Sequence, residues 1–130
     1  MSQLRQDLVN IVGVENVSSG ESVRKHHGQD HGPHPCAPPD LVTWPQSVDQ
    51  VSRICQVCLD GNIPVIPYST GTGLEGGVCA TFGGVCVNLS SMTDILQCDT
   101  QVTTTLGLLK TIPVRQIWLL WVDLSHNPLC

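Results

Sequence analysis

Aromatic side chains are scarce in this 130-residue sequence, with one Phe, one Tyr and three Trp. Any core must therefore be built mainly from aliphatic residues. Positive charge is also thin. Six Lys and Arg stand against eleven Asp and Glu, for a formal net charge of −5. Nucleic-acid binding needs a clustered Lys/Arg surface to meet phosphates, so this balance argues against a nucleic-acid partner. Long apolar runs are missing too. The longest candidate, Ile117 to Val122 (IWLLWV), falls far short of the ~20 residues that span a bilayer, so no membrane span is expected. The first ten residues, MSQLRQDLVN, have no apolar signal core, and their single Arg is too few for a mitochondrial presequence.

The charged fraction of 13 % and apolar fraction of 41 % describe a chain that folds, of a length that fits one domain. Seven cysteines, an odd number without a secretory signal, read as reduced thiols used as small core residues. His26, His27, His31, His34 and Cys36 are types that suit zinc, but their spacing matches no common finger. Cys55-x-x-Cys58 falls late in an expected helix, unlike a redox pair, which opens one. No metal site is assigned.

Residues 3–12 have the stripe of a short amphipathic helix, with Leu4, Leu8, Ile11 and Val12 on one side and Gly13 as its stop. Residues 18–40, rich in Gly, Pro, His and Ser, read as loop with at most one short strand. LVTW (41–44) reads as a strand. Ser47 then caps a helix, with Gln50 completing a capping-box pattern. Val48, Val51, Ile54, Cys55, Cys58 and Leu59 share one face of that helix, and Gly61 ends it. IPVIP (63–67) is a short strand, which makes a βαβ unit with parallel strands. Val85 to Leu89 is a further strand with Val85 and Val87 on one side. From Gln97 the character changes and no clear period remains. The expected organisation is an N-terminal helix and linker (1–20), a domain over 21–96 and a divergent tail (97–130), whose Leu106, Leu108, Leu109, Ile112, Ile117, Leu119, Leu120 and Val122 would invite a partner or aggregation if uncovered.

What is abundant is glycine, concentrated in Pro67–Gly77, PYSTGTGLEGG, where four glycines and three Ser/Thr hydroxyls occupy eleven positions. Two chemistries compete for this loop. Gly71-x-Gly73-x-x-Gly76 matches the NAD fingerprint of a Rossmann fold, which requires a helix to start at the third glycine. The following LEGGVCATFGG is a poor helix, at ~1 kcal/mol lost per Gly relative to Ala, and Asp94, the candidate ribose-binding acid, sits on a turn-like SSMTD. The other chemistry needs no helix. Successive N–H groups of a glycine-rich loop converge into a nest for an anion, and Thr70 and Thr72 add hydroxyls. No Lys or Arg is required for such a grip, and none lies between Arg53 and Lys110.

The stretch from about Glu21 to Leu96, most clearly from Trp44 on, resembles the start of the flavin domain of the cytochrome-linked D-lactate dehydrogenases, within the vanillyl-alcohol-oxidase-like (PCMH-type) FAD flavoproteins. The motif residues are Pro67 with Gly71-Thr72-Gly73-Leu74-x-Gly76-Gly77; the upstream Pro39, Val42, Pro45, Ser47, Gln50 and Val51; and His27-Gly28-x-Asp30. The resemblance implies an α+β fold, the first lobe of a PCMH-type FAD-binding domain, with a small βαβ-containing sheet and the glycine-rich loop at its rim. It implies FAD as cofactor, its diphosphate held at Ser69, Thr70, Gly71, Thr72, Gly73, Leu74 and Gly76. It further implies oxidation of D-lactate to pyruvate, with electrons passing through FAD to cytochrome c in the mitochondrion; without a presequence, a cytoplasmic location is equally compatible. Where this chain has Ser69 the family usually has glycine, and a positive φ there would cost a serine about 1 kcal/mol. The second lobe and substrate domain have no counterpart here, so no catalytic residue is assigned, and an inactive or protein-interacting splice or truncation product is the alternative.

Overall fold

The structure, a computed structural model, describes residues 2–94. The expected boundary at Leu96 and the apolar tail lie outside the described residues. The described elements are α1 (Ser2–Val12), a short 3-10 turn (Val14–Asn16), β1 (Val17–Ser18), α2 (Glu21–His27), β2 (Leu41–Thr43), α3 (Val48–Asp60), β3 (Val65–Tyr68) and β4 (Val85–Asn88). Together they make an α+β unit, with three helices on a small mixed sheet of four strands in the order β1-β2-β4-β3. β2, β4 and β3 run parallel, and β1 is antiparallel to β2. The β2–α3–β3 crossover thus joins parallel strands as expected, but β4 inserts between them and pairs with both.

The helix signals act as their chemistry demands. α1 buries Leu4, Leu8 and Val12, and Gly13 follows at φ 90. At α3 the Ser47 hydroxyl accepts the Gln50 N–H at 3.3 Å, satisfying one of the orphan donors of the first turn. The Gln50 side chain reaches back to the Gln46 N–H at 2.7 Å, one residue earlier than a standard capping box. The expected buried face of α3 is narrower than the pattern implied. Ile54 and Cys58 are buried, whereas Val48, Cys55 and Leu59 are exposed. Gly61 caps the helix at φ −87, and the left-handed residue is instead Asn62, at φ 50.

One correction falls within residues 18–40. This span is not simply loop and strand; it contains α2. The helix is only seven residues long and buries just His27, so it has too little apolar periodicity to register as a helix in sequence. Its Gly20 N-cap makes no side-chain capping bond.

The sheet divides the core by strand alternation. On one face, Leu4, Leu8 and Val12 of α1 and Ile54 and Cys58 of α3 pack with Leu41, Val85 and Val87. On the other, Val42, Tyr68 and Cys86 pack with Val23 of α2 and Trp44. Burial raises the Cys58 and Cys86 thiols to about 11 and about 12, the Cys58 shift reinforced by Cys55, so both are protonated, inert core residues.

Ile54 is fully buried and Leu59 is 74 % exposed on the same helix. Ile54→Ala should cost about 3 kcal/mol and Leu59→Ala under about 0.5 kcal/mol in urea unfolding of the full chain. Equal losses would contradict the packing described.

Candidate functional site

Parallel sheets bind ligands beyond the carboxyl ends of their strands. Here that edge carries Thr43, Tyr68 and Asn88, and the glycine-rich loop leaves it directly from β3. Residues 69–84 form no helix, so the loop lacks the helix N-terminus that the NAD fingerprint requires, and Asp94 lies in no strand.

The loop's main chain is open for bonding. Among the described residues, the N–H groups of Ser69 through Glu75, seven in succession, donate to no protein acceptor. Gly71 has φ +68, and a Cβ there would run into the Tyr68 side chain, so the position suits glycine. Gly73 faces open space, with nothing within 4 Å of a built Cβ. Thr70 and Thr72 hydroxyls meet at 3.2 Å. Ser69 is not among the positive-φ residues, so the strain considered for a serine there does not arise. Its hydroxyl is buried and has no partner among the described residues, a group that ordinarily finds one.

Gly76 plays a different part. Its φ is +74 and its N–H already donates to Asp30 Oδ2 at 2.8 Å. Asp30 is buried and also accepts from the Gly32 N–H at 3.0 Å and from His34 Nδ1 at 2.8 Å. Burial is the largest influence and opposes ionisation, but the Gly76 amide, His34 and the Gly32 amide together outweigh it and hold the carboxyl below its ordinary value. A second strut, His31 N–H to Gly73 O at 3.1 Å, ties the same two loops. The His-rich loop is thus a brace behind the glycine-rich one, and His34 is committed to Asp30. Among the described residues no three His, Cys, Asp or Glu side chains converge as metal ligands.

Behind Tyr68 sits a buried polar cluster that the sequence did not announce. His27 Nδ1–H donates to the Val23 carbonyl at 2.8 Å, which leaves Nε2 to accept from Asn88 Nδ2 at 2.9 Å. The Asn88 orientation follows, since its Oδ1 accepts the Ser90 N–H. The His27 ring lies 4.4 Å from that of Tyr68 and 5.6 Å, edge-on, from Trp44. Burial lowers the His27 pKa and keeps the imidazole neutral, though the Val23 carbonyl opposes this. A cleft of about 550 Å³ opens between this helix and the loop, lined by Lys25, His26, His31, Tyr68, Thr70 and Gly71.

Residues 39–108 match the family model described as FAD binding domain. The chain belongs to the PCMH-type FAD-binding domain family. Over 103 residues it is 46 % identical to the probable mitochondrial D-lactate dehydrogenase of Danio rerio, covering 77 % of this chain and 21 % of that one. It is 34 % identical over 103 residues to the mitochondrial D-lactate dehydrogenase (cytochrome) 1 of Saccharomyces cerevisiae, covering 72 % and 18 %. The chain therefore spans about a fifth of the length of these curated relatives. Its fold matches that of p-cresol methylhydroxylase with a TM-score of 0.72 at 19 % identity, covering 98 % of this chain and 25 % of the other.

Loss of the Asp30 charge should remove part of the acid sensitivity of the fold. Its folded pKa is depressed, so its contribution is full above the unfolded carboxyl value and is lost as pH falls through the folded one. In thermal melts across a pH series, Asp30→Asn should melt lower than the wild type at neutral pH and converge with it in acid. Parallel curves would contradict the role given to this carboxylate.

Proposed function

We propose that this domain holds the diphosphate of FAD in the cradle at the end of β3. The observation that carries this reading is the run of N–H groups from Ser69 to Glu75 that have no acceptor among the described residues. A diphosphate accepts such donors without a cationic side chain, and each charge-assisted bond contributes about 1.5–3 kcal/mol. In this arrangement the amides of Ser69, Thr70, Gly71, Thr72 and Gly73, with Leu74 beside them, face the ligand. Gly76 instead keeps the loop on Asp30. The unpaired Ser69 hydroxyl and the open space at Gly73 suit an anion approaching the backbone closely.

In the whole protein the reaction that fits is oxidation of D-lactate, or another D-2-hydroxy acid, to the 2-oxo acid, pyruvate in the case of D-lactate. FAD supplies the hydride acceptor when bound, and cytochrome c is the onward electron acceptor. The names of the Danio rerio and Saccharomyces cerevisiae relatives support both this substrate and a mitochondrial setting. This first lobe contributes cofactor binding; no group in it is assigned to the substrate.

Gly73→Val separates binding from folding. Its side chain meets nothing in the fold but enters the ligand's space. Flavin fluorescence titration of the purified chain should show binding to the wild type and at least about a tenfold loss in Gly73→Val, with an unchanged melting temperature. Gly71→Val, which collides with Tyr68, should lower both. Full flavin affinity in Gly73→Val would overturn the reading.

A further inference from the structure

Tyr68 is the chain's single tyrosine and the last residue of β3. It is only 6 % exposed, yet it lines the cleft at the start of the glycine-rich loop. The phenol end of its ring is turned to that loop. A Cβ built on Gly71 would run into the Tyr68 hydroxyl first and the ring carbons behind it. The hydroxyl therefore stands against the Gly71 main chain, inside the run from Ser69 to Glu75 whose N–H groups have no acceptor among the described residues.

A buried tyrosine ordinarily finds a partner for its O–H. The polar groups around Tyr68 are committed elsewhere. Thr70 meets Thr72, and Asp30 is taken by the Gly76 and Gly32 amides and His34. His27 is taken by the Val23 carbonyl and Asn88. Among the described residues the Tyr68 hydroxyl has no partner, and it is not sealed from the cleft as the Ser69 hydroxyl is. The ring itself is gripped. The His27 ring lies 4.4 Å from it and the His26 ring 6.3 Å, and the two imidazoles meet edge-on at 5.3 Å. Val42 and Cys86 pack with it as well. Burial, reinforced by Cys86, raises the phenol above its ordinary pKa, so at neutral pH it keeps its proton and can donate.

We infer that Tyr68 is a further cofactor-binding residue, whose hydroxyl donates to an oxygen of the diphosphate held on the loop amides beside Gly71. The inference rests on the FAD reading and adds to it a side chain that touches the ligand. Donation from a neutral O–H to a phosphate oxygen is a charge-assisted bond. It supplements a loop that has no Lys or Arg between Arg53 and Lys110. The hydroxyl is a binding group and not a structural one, because it bonds to nothing described in the fold.

Two measurements on the full chain test this. With 13C at the tyrosine Cζ the chain gives one resonance, since it has one tyrosine. That resonance should move on titration with FAD. Tyr68→Phe keeps the ring and removes only the hydroxyl. By flavin fluorescence it should bind FAD about tenfold more weakly than the wild type, with an unchanged melting temperature. Tyr68→Ala, which also empties the space between His27 and Cys86, should lower the melting temperature as well. Full FAD affinity in Tyr68→Phe, or a Cζ resonance unmoved at FAD saturation, would overturn the inference and leave the FAD reading standing. A Tyr68→Phe chain that melts lower would assign the hydroxyl to the fold and overturn it too. Failure of the wild type to bind FAD would overturn both.

Discussion

One buried carboxylate organises the cofactor edge of this domain. Asp30 accepts from the Gly76 amide, the Gly32 amide and His34, and so ties two loops that are 46 residues apart in sequence at the Gly76 contact. A glycine-rich segment has much conformational freedom to lose on folding. Without a tether, open N–H groups would fold onto nearby carbonyls or sample many arrangements. Tying down Gly76, and Gly73 through the His31 amide, anchors the later part of the turn, while the N–H groups of Ser69 to Glu75 have no acceptor among the described residues. The loop is therefore held in one arrangement by a carboxylate from a distant part of the chain.

This design differs from the dinucleotide fold that its sequence pattern imitates. In that fold a helix N-terminus supplies both aligned amides and a partial charge. Here there is no helix after the turn. The loop instead turns at Gly71, at φ +68, and is held by the Asp30 and His31 brace, contacts that come from residues distant in sequence and that a motif alone cannot report.

The sequence showed clearly what local chemistry fixes. The Ser47 cap, the α1 stripe, the inward Val85 and Val87, and the glycine loop at the end of a short strand were all readable, because each depends on neighbours within a few positions. Much of the remainder is non-local. The insertion of β4 between β2 and β3 is a matter of long-range strand pairing, which no short window contains. α2 went unseen because its inward residue is a histidine whose partners, Asn88 and Tyr68, lie across the sheet. The exposed Val48 and Leu59 on α3 show helical spacing indicating a face without fixing how much of it another element covers. At the site, likeness to a family marked Asp30 and the loop. It did not reveal that Gly76 is a tether, nor that Lys25, His26 and His31 share a cleft with Thr70.

The central claim is that main-chain amides of the loop grip a diphosphate. The direct measurement is the amide spectrum of the 15N-labelled chain titrated with FAD. The account predicts the largest shifts, with downfield movement typical of new charge-assisted bonds, at Thr70, Gly71, Thr72 and Gly73, while the Gly76 amide, already held by Asp30, moves little. Shifts confined to other residues, with those four amides unmoved at saturation, would contradict it.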